Sequence, residues 1–232
     1  MPEVEKQKRV HDMLLGPLER PALQWFSARM PGWVTPDILT GFGVFGAVLI
    51  FAGYALTNID PGFLWLASLG FVINWFGDSL DGTLARYRKI ERPKYGFFID
   101  HTVDSFNMAL IFIGLGLSAY VRLDIACLAG IGYLLMSILA YVAAIVSGKF
   151  QISYAKVGPT EMRLIAIIAN TIIFFVGNPI LDLSFVSVTV FDLVVLLVAV
   201  VEMMFYVVSV GNQLRYWNKI DPGKKREEEL PA

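Results

Sequence analysis

The chain has 232 residues, of which 56% are hydrophobic and only 17% are charged. This balance and a mean hydropathy of +0.61 exclude an ordinary soluble domain, which would carry more charge and fewer long apolar runs. The single cysteine, Cys127, excludes an intrachain disulfide bond and a thiolate zinc cluster. Composition therefore favours a helical protein that crosses a membrane several times.

The first 35 residues contain no spanning segment, because Arg, Glu and His interrupt their apolar residues. Pro17 and Pro21 predict that this region is divided into short helical pieces. Its Leu, Trp and Phe side chains could share one face. We therefore expect residues 1–35 to form a cytoplasmic amphipathic segment at the membrane surface, with a soluble cap as the alternative.

Six apolar stretches follow, and a span takes about 20 apolar residues. They are predicted to run from Pro36 to Leu56, Phe63 to Arg86, Gly96 to Tyr120, Ile125 to Val146, Leu164 to Val176 and Val190 to Val210. The fifth stretch is the shortest and needs residues 160–163 or 177–181 to reach across. The sixth continues as a helix to Trp217. We predict an all-α integral membrane protein with a six-helix domain over residues 36–217 and a disordered cytoplasmic tail over residues 218–232.

Positive charge is distributed unevenly between the predicted connections. Of the 19 Lys and Arg residues, 18 fall on the side that holds both termini, and only Arg122 falls on the other. Cytoplasmic connections carry the excess of Lys and Arg. The sequence therefore predicts a multi-pass protein with both termini in the cytoplasm, in the cell membrane if the source is bacterial.

Two pairs of aspartates lie near the cytoplasmic ends of the second and third predicted spans. Asp78 and Asp81 are three residues apart and Asp100 and Asp104 are four apart, so each pair shares one helix face. Asp78 lies about 22 Å along the second span, at 1.5 Å per residue, and Asp100 lies near the start of the third. Helices joined by a short loop pack as neighbours, so we expect the four carboxylates to face each other.

Four facing carboxylates cannot all stay ionised without cations. Arginine could neutralise some of them, whereas Mg²⁺ or Mn²⁺ could neutralise all, and two such ions clamp a phosphoryl group in a displacement reaction. Gly82 and Ala85 lie one turn beyond Asp78 and Asp81, and small residues let a ligand approach the helix. Arg86 follows directly and is suited to bind a phosphate.

Basic residues also flank a GPTE tetrapeptide, residues 158–161, in the polar connection between the fourth and fifth spans. Lys156 and Arg163 could bind an anionic head group or a donor phosphate. Cytoplasmic charge that only obeys the topology rule is an equal alternative. Glu202 lies inside the sixth span, where we expect a structural role, such as a bond to Asn170 or to another helix, with a dimer contact as the alternative.

The pattern Asp78-x2-Asp81-Gly82-x2-Ala85-Arg86-x9-Gly96-x3-Asp100-x3-Asp104 resembles the signature of the CDP-alcohol phosphotransferase family. All eight fixed positions of that signature are present in order. The resemblance extends to the amphipathic start and the six spans, and so covers most of the chain. The family's first span often opens with Pro-Asn-x-x-Thr near the nucleotide, and here the segment is Pro36-Asp37-Ile38-Leu39-Thr40, with Asp in place of Asn.

The resemblance implies a transferase of phospholipid biosynthesis. A CDP-linked donor, most often CDP-diacylglycerol, is attacked by the hydroxyl of a small or lipid alcohol, and CMP leaves. Asp78, Asp81 and Asp100 would ligate two Mg²⁺ or Mn²⁺ ions, while Asp104 would act as general base and also contact metal. A homodimer is expected and a nucleic-acid partner is not. The implied substrate-binding residues are Gly82, Ala85, Arg86, Asp37 and Thr40.

Two other classes of membrane protein also depend on clustered acidic residues. A prenyltransferase-like enzyme also sets aspartates against a diphosphate, although on separate helix pairs and without the Gly-x-x-Ala-Arg segment. A cation transporter would place its acids near mid-membrane and on several helices. The clustering of all four aspartates on one helix pair favours the phosphotransferase.

Overall fold

The computed structural model describes residues 15–147, 158–183 and 186–222. This part of the chain forms seven helices and one short antiparallel hairpin, and six of the helices are long and apolar enough to cross a membrane. The fold is all-α without a sheet core, as predicted. The elements are α1 (Gly16–Arg29), α2 (Pro36–Leu56), α3 (Phe63–Arg88), α4 (Pro93–Gly116), α5 (Leu123–Ser147), α6 (Pro159–Val176), β1 (Ile180–Leu183), β2 (Val186–Thr189) and α7 (Val190–Ile220).

Helix α2 has the predicted bounds because its start is doubly specified. The Thr35 hydroxyl accepts a hydrogen bond from the Ile38 N–H at 3.2 Å, and Pro36 occupies the first helical position. Helix α4 begins three residues earlier than predicted for the same reason, since Pro93 occupies its first turn. Asp100 is consequently seven residues inside α4 rather than four.

Several other bounds differ from the prediction by one to four residues: α3 ends at Arg88, α4 ends at Gly116, and α5 runs from Leu123 to Ser147. Two further differences change which residues are helical. Helix α6 begins at Pro159, so the shortest span reaches across by using residues 160–163, which therefore belong to a helix and not to a polar loop. Helix α7 ends at Ile220, three residues beyond Trp217, and the start of the predicted tail is helical. The rest of that tail, residues 223–232, lies outside the described residues.

Helix α1 is continuous, which corrects the expectation of short pieces. Pro17 lies in the first turn, where its missing N–H has no helical partner, and Pro21 removes only one backbone hydrogen bond. The helix packs against α3, where Phe26 contacts Phe76 edge to face with ring centroids 5.3 Å apart. Leu23 is buried in the same cluster. Residues 1–14 of the predicted amphipathic segment lie outside the described residues.

The tightest helix packing joins α2 to α3. A Cβ atom added to Gly46 would lie 2.4 Å from the backbone nitrogen of Asn74, and one added to Gly77 would lie 2.4 Å from that of Gly43. Small residues at such contacts let two helix backbones approach in a membrane. We call the contact of Gly43 and Gly46 with Asn74 and Gly77 the glycine seam. It fixes the register of α2 against α3.

Helix α4 packs closely against α2 and α5 rather than against α3, which corrects the expectation that the two acid-bearing helices are packed neighbours. Facing carboxylates repel when their helices approach, so close packing of α3 on α4 would be costly. Helix α2 contacts both instead, α6 packs on α3, and α7 packs on α5. The aspartates therefore face each other across a gap.

Polar side chains tie the helices together inside the bundle. The Tyr54 hydroxyl donates to Asn170 Oδ1 at 3.0 Å, and Asn170 Nδ2 donates to the Ser68 hydroxyl at 3.1 Å, which joins α2, α6 and α3. Asn170 is thus not the partner of Glu202, and of the contacts expected for Glu202 the one with another helix is observed. The Glu202 carboxylate lies against α5, where a Cβ on Gly132 would be 2.8 Å from Oε2.

Candidate active site

Three carboxylates meet in the gap between α3 and α4. Asp78 comes from α3, and Asp100 and Asp104 come from one face of α4. One oxygen atom of each lies within 4.8 Å of the others, and all three side chains are partly buried. The prediction that the two pairs face one another is confirmed for these three residues. We call them the acid cluster.

Asp81 lies beside the acid cluster, and α2 holds it. Its Oδ2 accepts a hydrogen bond of 2.6 Å from the Thr40 hydroxyl, and its Oδ1 accepts one from the Gly82 N–H. Asp81 and Thr40 line one small cavity together with Asp78 and Asp100. The glycine seam brings Thr40 to this position, because it sets α2 directly against the face of α3 that carries the acids.

Asp37 lies at the rim of the site and not in the cluster. Its carboxylate pairs with Arg92 at the start of α4, and this hydrogen bond raises the pKa of the Arg92 guanidinium above its ordinary value. Arg92 also stacks over the Tyr95 ring, 3.9 Å from its centroid. Asp37 and Thr40 therefore have different surroundings, although one sequence segment carries both.

The predicted donor-binding positions lie along the last turns of α3. Arg86 is exposed and bends back over Gly82, where an added Cβ would lie 3.3 Å from Nη1. Its Nη2 donates to the Thr83 hydroxyl at 3.1 Å. Ala85 is half-buried on the same helix. Arg86 and Gly82 thus form one surface that continues outward from the acids.

Two further basic residues at the end of α3 have structural roles. Arg88 donates hydrogen bonds to the backbone carbonyls of Met30, Pro31 and Val34, and so fastens the linker between α1 and α2. Lys89 ends α3 in the left-handed conformation, with φ of 58°. Arg88 therefore positions the start of α2, which carries Thr40.

Arg163 lies inside the site, although the sequence predicted it in a loop. Its side chain comes from the second turn of α6 and is only 6% exposed. Nη2 donates to Asp78 Oδ2 at 2.7 Å and Nε donates to Asn74 Oδ1 at 2.8 Å. Lys156, predicted to accompany it, lies outside the described residues.

The GPTE segment contacts α1 rather than the acid cluster. Glu161 accepts hydrogen bonds of 2.9 Å from the Leu15 and Gly158 N–H groups. The Thr160 hydroxyl donates to Glu19 Oε1 at 2.9 Å, and the same oxygen accepts from Trp75 Nε1 at 2.8 Å. The Thr160 and Glu161 side chains thus fasten α1 to the first turn of α6.

Sequence reasoning missed Asn107. It is 2% exposed and lines the cavity beside Asp78, Asp81 and Asp100, and its Oδ1 has no hydrogen-bond partner among the described residues. Its spacing could have found it, because residues four and seven positions after Asp100 share a helix face. Asn107 therefore extends the polar face of α4 that carries Asp100 and Asp104.

This donor set fits a hard divalent cation. Oxygen atoms of aspartate and asparagine are the ligands that Mg²⁺ and Mn²⁺ prefer, and a buried carboxamide oxygen without a partner is costly unless a ligand or ion satisfies it. Asp78, Asp100 and Asp104 offer three oxygens within reach of one ion. Asp81 and Asn107 lie at the edge of the same cavity.

Comparison with known proteins begins with a family model, that of CDP-alcohol phosphatidyltransferase, which matches residues 33–205. The chain belongs to this family. The matched region begins just before α2 and includes every aspartate described above, so the resemblance drawn from the aspartate pattern is confirmed.

Several relatives are similar to parts of the chain. Phosphatidylinositol phosphate synthase of Cutibacterium acnes is 42% identical over 85 residues, which cover 36% of this chain and 38% of the relative. Cholinephosphotransferase 1 of Danio rerio is 27% identical over 66% of this chain and 41% of its own length. Archaetidylinositol phosphate synthase of Pyrococcus horikoshii is 33% identical over 59% of this chain and 69% of its own length. The chain thus spans about two fifths of the length of the first two relatives.

Proposed function

We propose that this family member transfers a phospho-alcohol group from a CDP-alcohol donor to the hydroxyl of an acceptor alcohol in phospholipid biosynthesis. The acceptor oxygen forms a bond to the phosphorus that carries the donor's alcohol, the phosphoanhydride bond breaks, and CMP leaves. The observation that carries this proposal is the acid cluster, which joins two helices at one end of the bundle inside the family match.

Asp78, Asp81, Asp100 and Asp104 are the residues that would hold two Mg²⁺ or Mn²⁺ ions. When bound, the ions supply positive charge against the pyrophosphate of the donor. The Asp81 carboxylate is oriented before any ligand arrives, because Thr40 and the Gly82 N–H bind one oxygen each.

Asp104 is the proposed general base. An alcohol is a weak nucleophile, and a positioned carboxylate that accepts its proton contributes roughly 10²–10⁴ in rate. Asp104 is the acid-cluster residue that lies deepest along α4, four residues beyond Asp100. In this position it would receive the hydroxyl proton while Asp78 and Asp100 contact the metals.

Donor binding is assigned to Gly82, Ala85 and Arg86. Gly82 permits close approach to α3, and the exposed Arg86 guanidinium suits a phosphate oxygen. Thr40 contributes through Asp81, whereas Asp37 would act at the rim, where its carboxylate holds Arg92. Lys156 remains assigned to an anionic substrate group by sequence alone.

The acceptor is proposed only as an alcohol, and the relatives define which alcohols to test first. Two of them are named as synthases of inositol phosphate lipids, and one is named as a cholinephosphotransferase. We propose CDP-diacylglycerol as the first donor, a homodimer as the assembly, and the cytoplasmic face of the cell membrane as the location of the site. The Lys and Arg distribution supports this sidedness.

The deciding experiment measures CMP released by the purified protein in lipid micelles. CDP-diacylglycerol, CDP-choline and CDP-ethanolamine are each combined with inositol phosphate, glycerol phosphate, serine, inositol and diacylglycerol. We expect CMP release with at least one pair, its loss in EDTA, and its recovery with Mg²⁺ or Mn²⁺. Absence of CMP with every pair would refute the transferase, and release that resists EDTA would refute the metal site.

Variants of two cluster residues separate the assigned roles. Asp104→Asn should lower turnover by roughly 10² or more while the metal-dependent binding of the donor persists. Asp78→Asn should weaken donor binding as well, because it removes a proposed metal ligand. Binding is measured with labelled donor in the presence of Mn²⁺. Near-wild-type turnover of Asp104→Asn would contradict its role as base.

A further inference from the structure

Arg163 is a buried cation directed at the acid cluster. Its guanidinium makes one hydrogen bond to Asp78 and one to Asn74, and Nη1 is buried with no hydrogen-bond partner among the described residues. A buried charge is costly unless it is paired. Here the pairing is with an acid of the proposed metal site, and no acid of any other helix is bonded to it in the part of the chain described.

Two partners one turn apart on α3 fix the position of this guanidinium. Asn74 is fully buried, and its Nδ2 donates a hydrogen bond to the Gly43 carbonyl of α2 at 2.9 Å. This bond fixes the orientation of the Asn74 amide, so that its Oδ1 points toward Arg163. The backbone around Gly43 and Asn74 belongs to the glycine seam. Arg163 is therefore held by the most closely packed part of the bundle.

The bond to Asp78 engages a single carboxylate oxygen. Arg163 binds Oδ2 at 2.7 Å, which constrains the carboxylate so that its other oxygen is directed elsewhere. Asp100 and Asp104 lie on the opposite side of the gap, on α4. A guanidinium in this position both orients Asp78 and offsets part of the negative charge of the cluster.

We propose that Arg163 serves as the built-in counter-ion of the acid cluster when no metal is bound, with its charge set against that of Asp78. This inference rests on the proposed metal-dependent function and assigns a charge-balancing role that a substrate-binding residue would not have. Arg163 and divalent cations then stabilise the same carboxylates. Removing Arg163 should therefore destabilise the metal-free protein and strengthen metal binding.

The test compares thermal unfolding of Arg163→Met and the wild type in EDTA and in Mn²⁺. Loss of one partner of a buried ion pair is strongly destabilising, so we expect the unfolding temperature in EDTA to fall by roughly 6 °C or more. Mn²⁺ should restore much of this loss. The metal-induced increase should thus be larger in the variant, and the Mn²⁺ dissociation constant from electron paramagnetic resonance should fall about tenfold.

Arg122→Met is the control for effects of the metal outside the site, because it breaks an exposed Arg–Asp pair of the same 2.7 Å length at the other end of the bundle. Its metal-induced increase should equal that of the wild type. Asp78→Asn combined with Arg163→Met should be more stable in EDTA than Arg163→Met alone, since the uncompensated acid is removed. This double variant and Arg163→Lys, expected between wild type and Met, keep the test decisive if Arg163→Met does not fold.

The outcomes distinguish this inference from the function on which it rests. Equal metal-induced increases in the wild type and Arg163→Met would overturn the counter-ion role and leave the metal site intact. If these equal increases are accompanied by a lowered unfolding temperature of the variant in both media, Arg163 has a packing role only. If the wild type gains no stability from Mg²⁺ or Mn²⁺, the metal site itself is wrong and the inference fails with it.

Discussion

Thr40 and Asp81 show how a residue outside the aspartate pattern can control one inside it. The hydroxyl of Thr40 donates to the Pro36 carbonyl or to Asp81, with distances of 3.1 and 2.6 Å. A hydrogen bond to a charged group is stronger than one between neutral groups. The shorter contact therefore sets the direction of the Asp81 carboxylate, and α2 takes part in building the site on α3.

Thr40→Val removes this bond at nearly constant volume and leaves Asp81 with the Gly82 N–H alone. A hydrogen bond to a charged group contributes about 1.5–3 kcal/mol, so the Mg²⁺ concentration for half-maximal CMP release should rise roughly tenfold or more. Thr171→Val is the control, because the described bond of that hydroxyl is to its own helix, at the Ile167 carbonyl. An unchanged metal requirement in Thr40→Val would show that Asp81 needs no support from α2.

At the residue scale, spacing along one helix predicted the acids, since residues three and four apart share a face whatever the bundle does. Arg163 and Asn107 were not placed in this way. Arg163 reaches Asp78 only because α6 begins at Pro159 and packs on α3, which no local pattern specifies. Asn107 carried a local signal, its spacing from Asp100, but no charge to draw attention to it.

The glycine seam is the element-scale feature on which the site depends. Gly46 faces the backbone of α3, so any side chain there must separate the two helices. Separation would remove Thr40 from Asp81 and the Gly43 carbonyl from Asn74 at the same time. Helix packing and site geometry are therefore one property of α2 and α3.

Gly46→Ala should destabilise the protein by about 3 kcal/mol or more, because its Cβ would overlap backbone atoms, which cannot move aside as a flexible side chain can. Gly41→Ala in the same helix is the control, since a Cβ there has no atom within 4 Å, and it should be neutral or slightly stabilising. Thermal unfolding in one detergent measures both. Similar unfolding temperatures for the two variants would contradict the seam.

At the element scale, capping residues and prolines at the helix termini decided which helix bounds could be predicted. The bounds of α2 follow from Thr35 and Pro36, whereas the start of α4 was misplaced because Pro93 was read as part of the connection. The hairpin of β1 and β2 was missed, since its four-residue strands are shorter than the window in which an alternating pattern becomes clear. The earlier start of α4 places Asp100 three residues deeper in its helix but leaves Asp100 and Asp104 on one face.

At the scale of the whole molecule, an even number of membrane spans places the two termini of the chain on the same side of the membrane. The single Lys or Arg predicted on the opposite side, Arg122, is paired with Asp124 at 2.7 Å. This hydrogen bond raises the pKa of the Arg122 guanidinium. Arg122, the one basic residue on the opposite side, is thus compensated by a neighbouring acid. The other Lys and Arg residues define the side that we propose to be cytoplasmic.

Cysteine labelling tests this topology. In a Cys127→Ala background, Lys219→Cys at the end of α7 should react with a membrane-impermeant maleimide only after the cells are opened. Ile59→Cys in the turn between α2 and α3, where the side chain is 77% exposed, should react in intact spheroplasts. The cysteine-free parent is the control for background labelling. Reaction of both positions on the same side of the membrane would refute six spans.

The attachment of α1 has a consequence for how such a molecule meets its surroundings. Glu19 and Glu161 connect α1 to α3 and to the first turn of α6, and Arg163 follows Glu161 by two residues. If α1 rests on a leaflet, as the sequence predicts, a tilt of α1 caused by lateral pressure or curvature there would be transmitted to the first turn of α6. The protein would then carry a mechanical link between the packing of the lipid surface and the carboxylate that Arg163 holds.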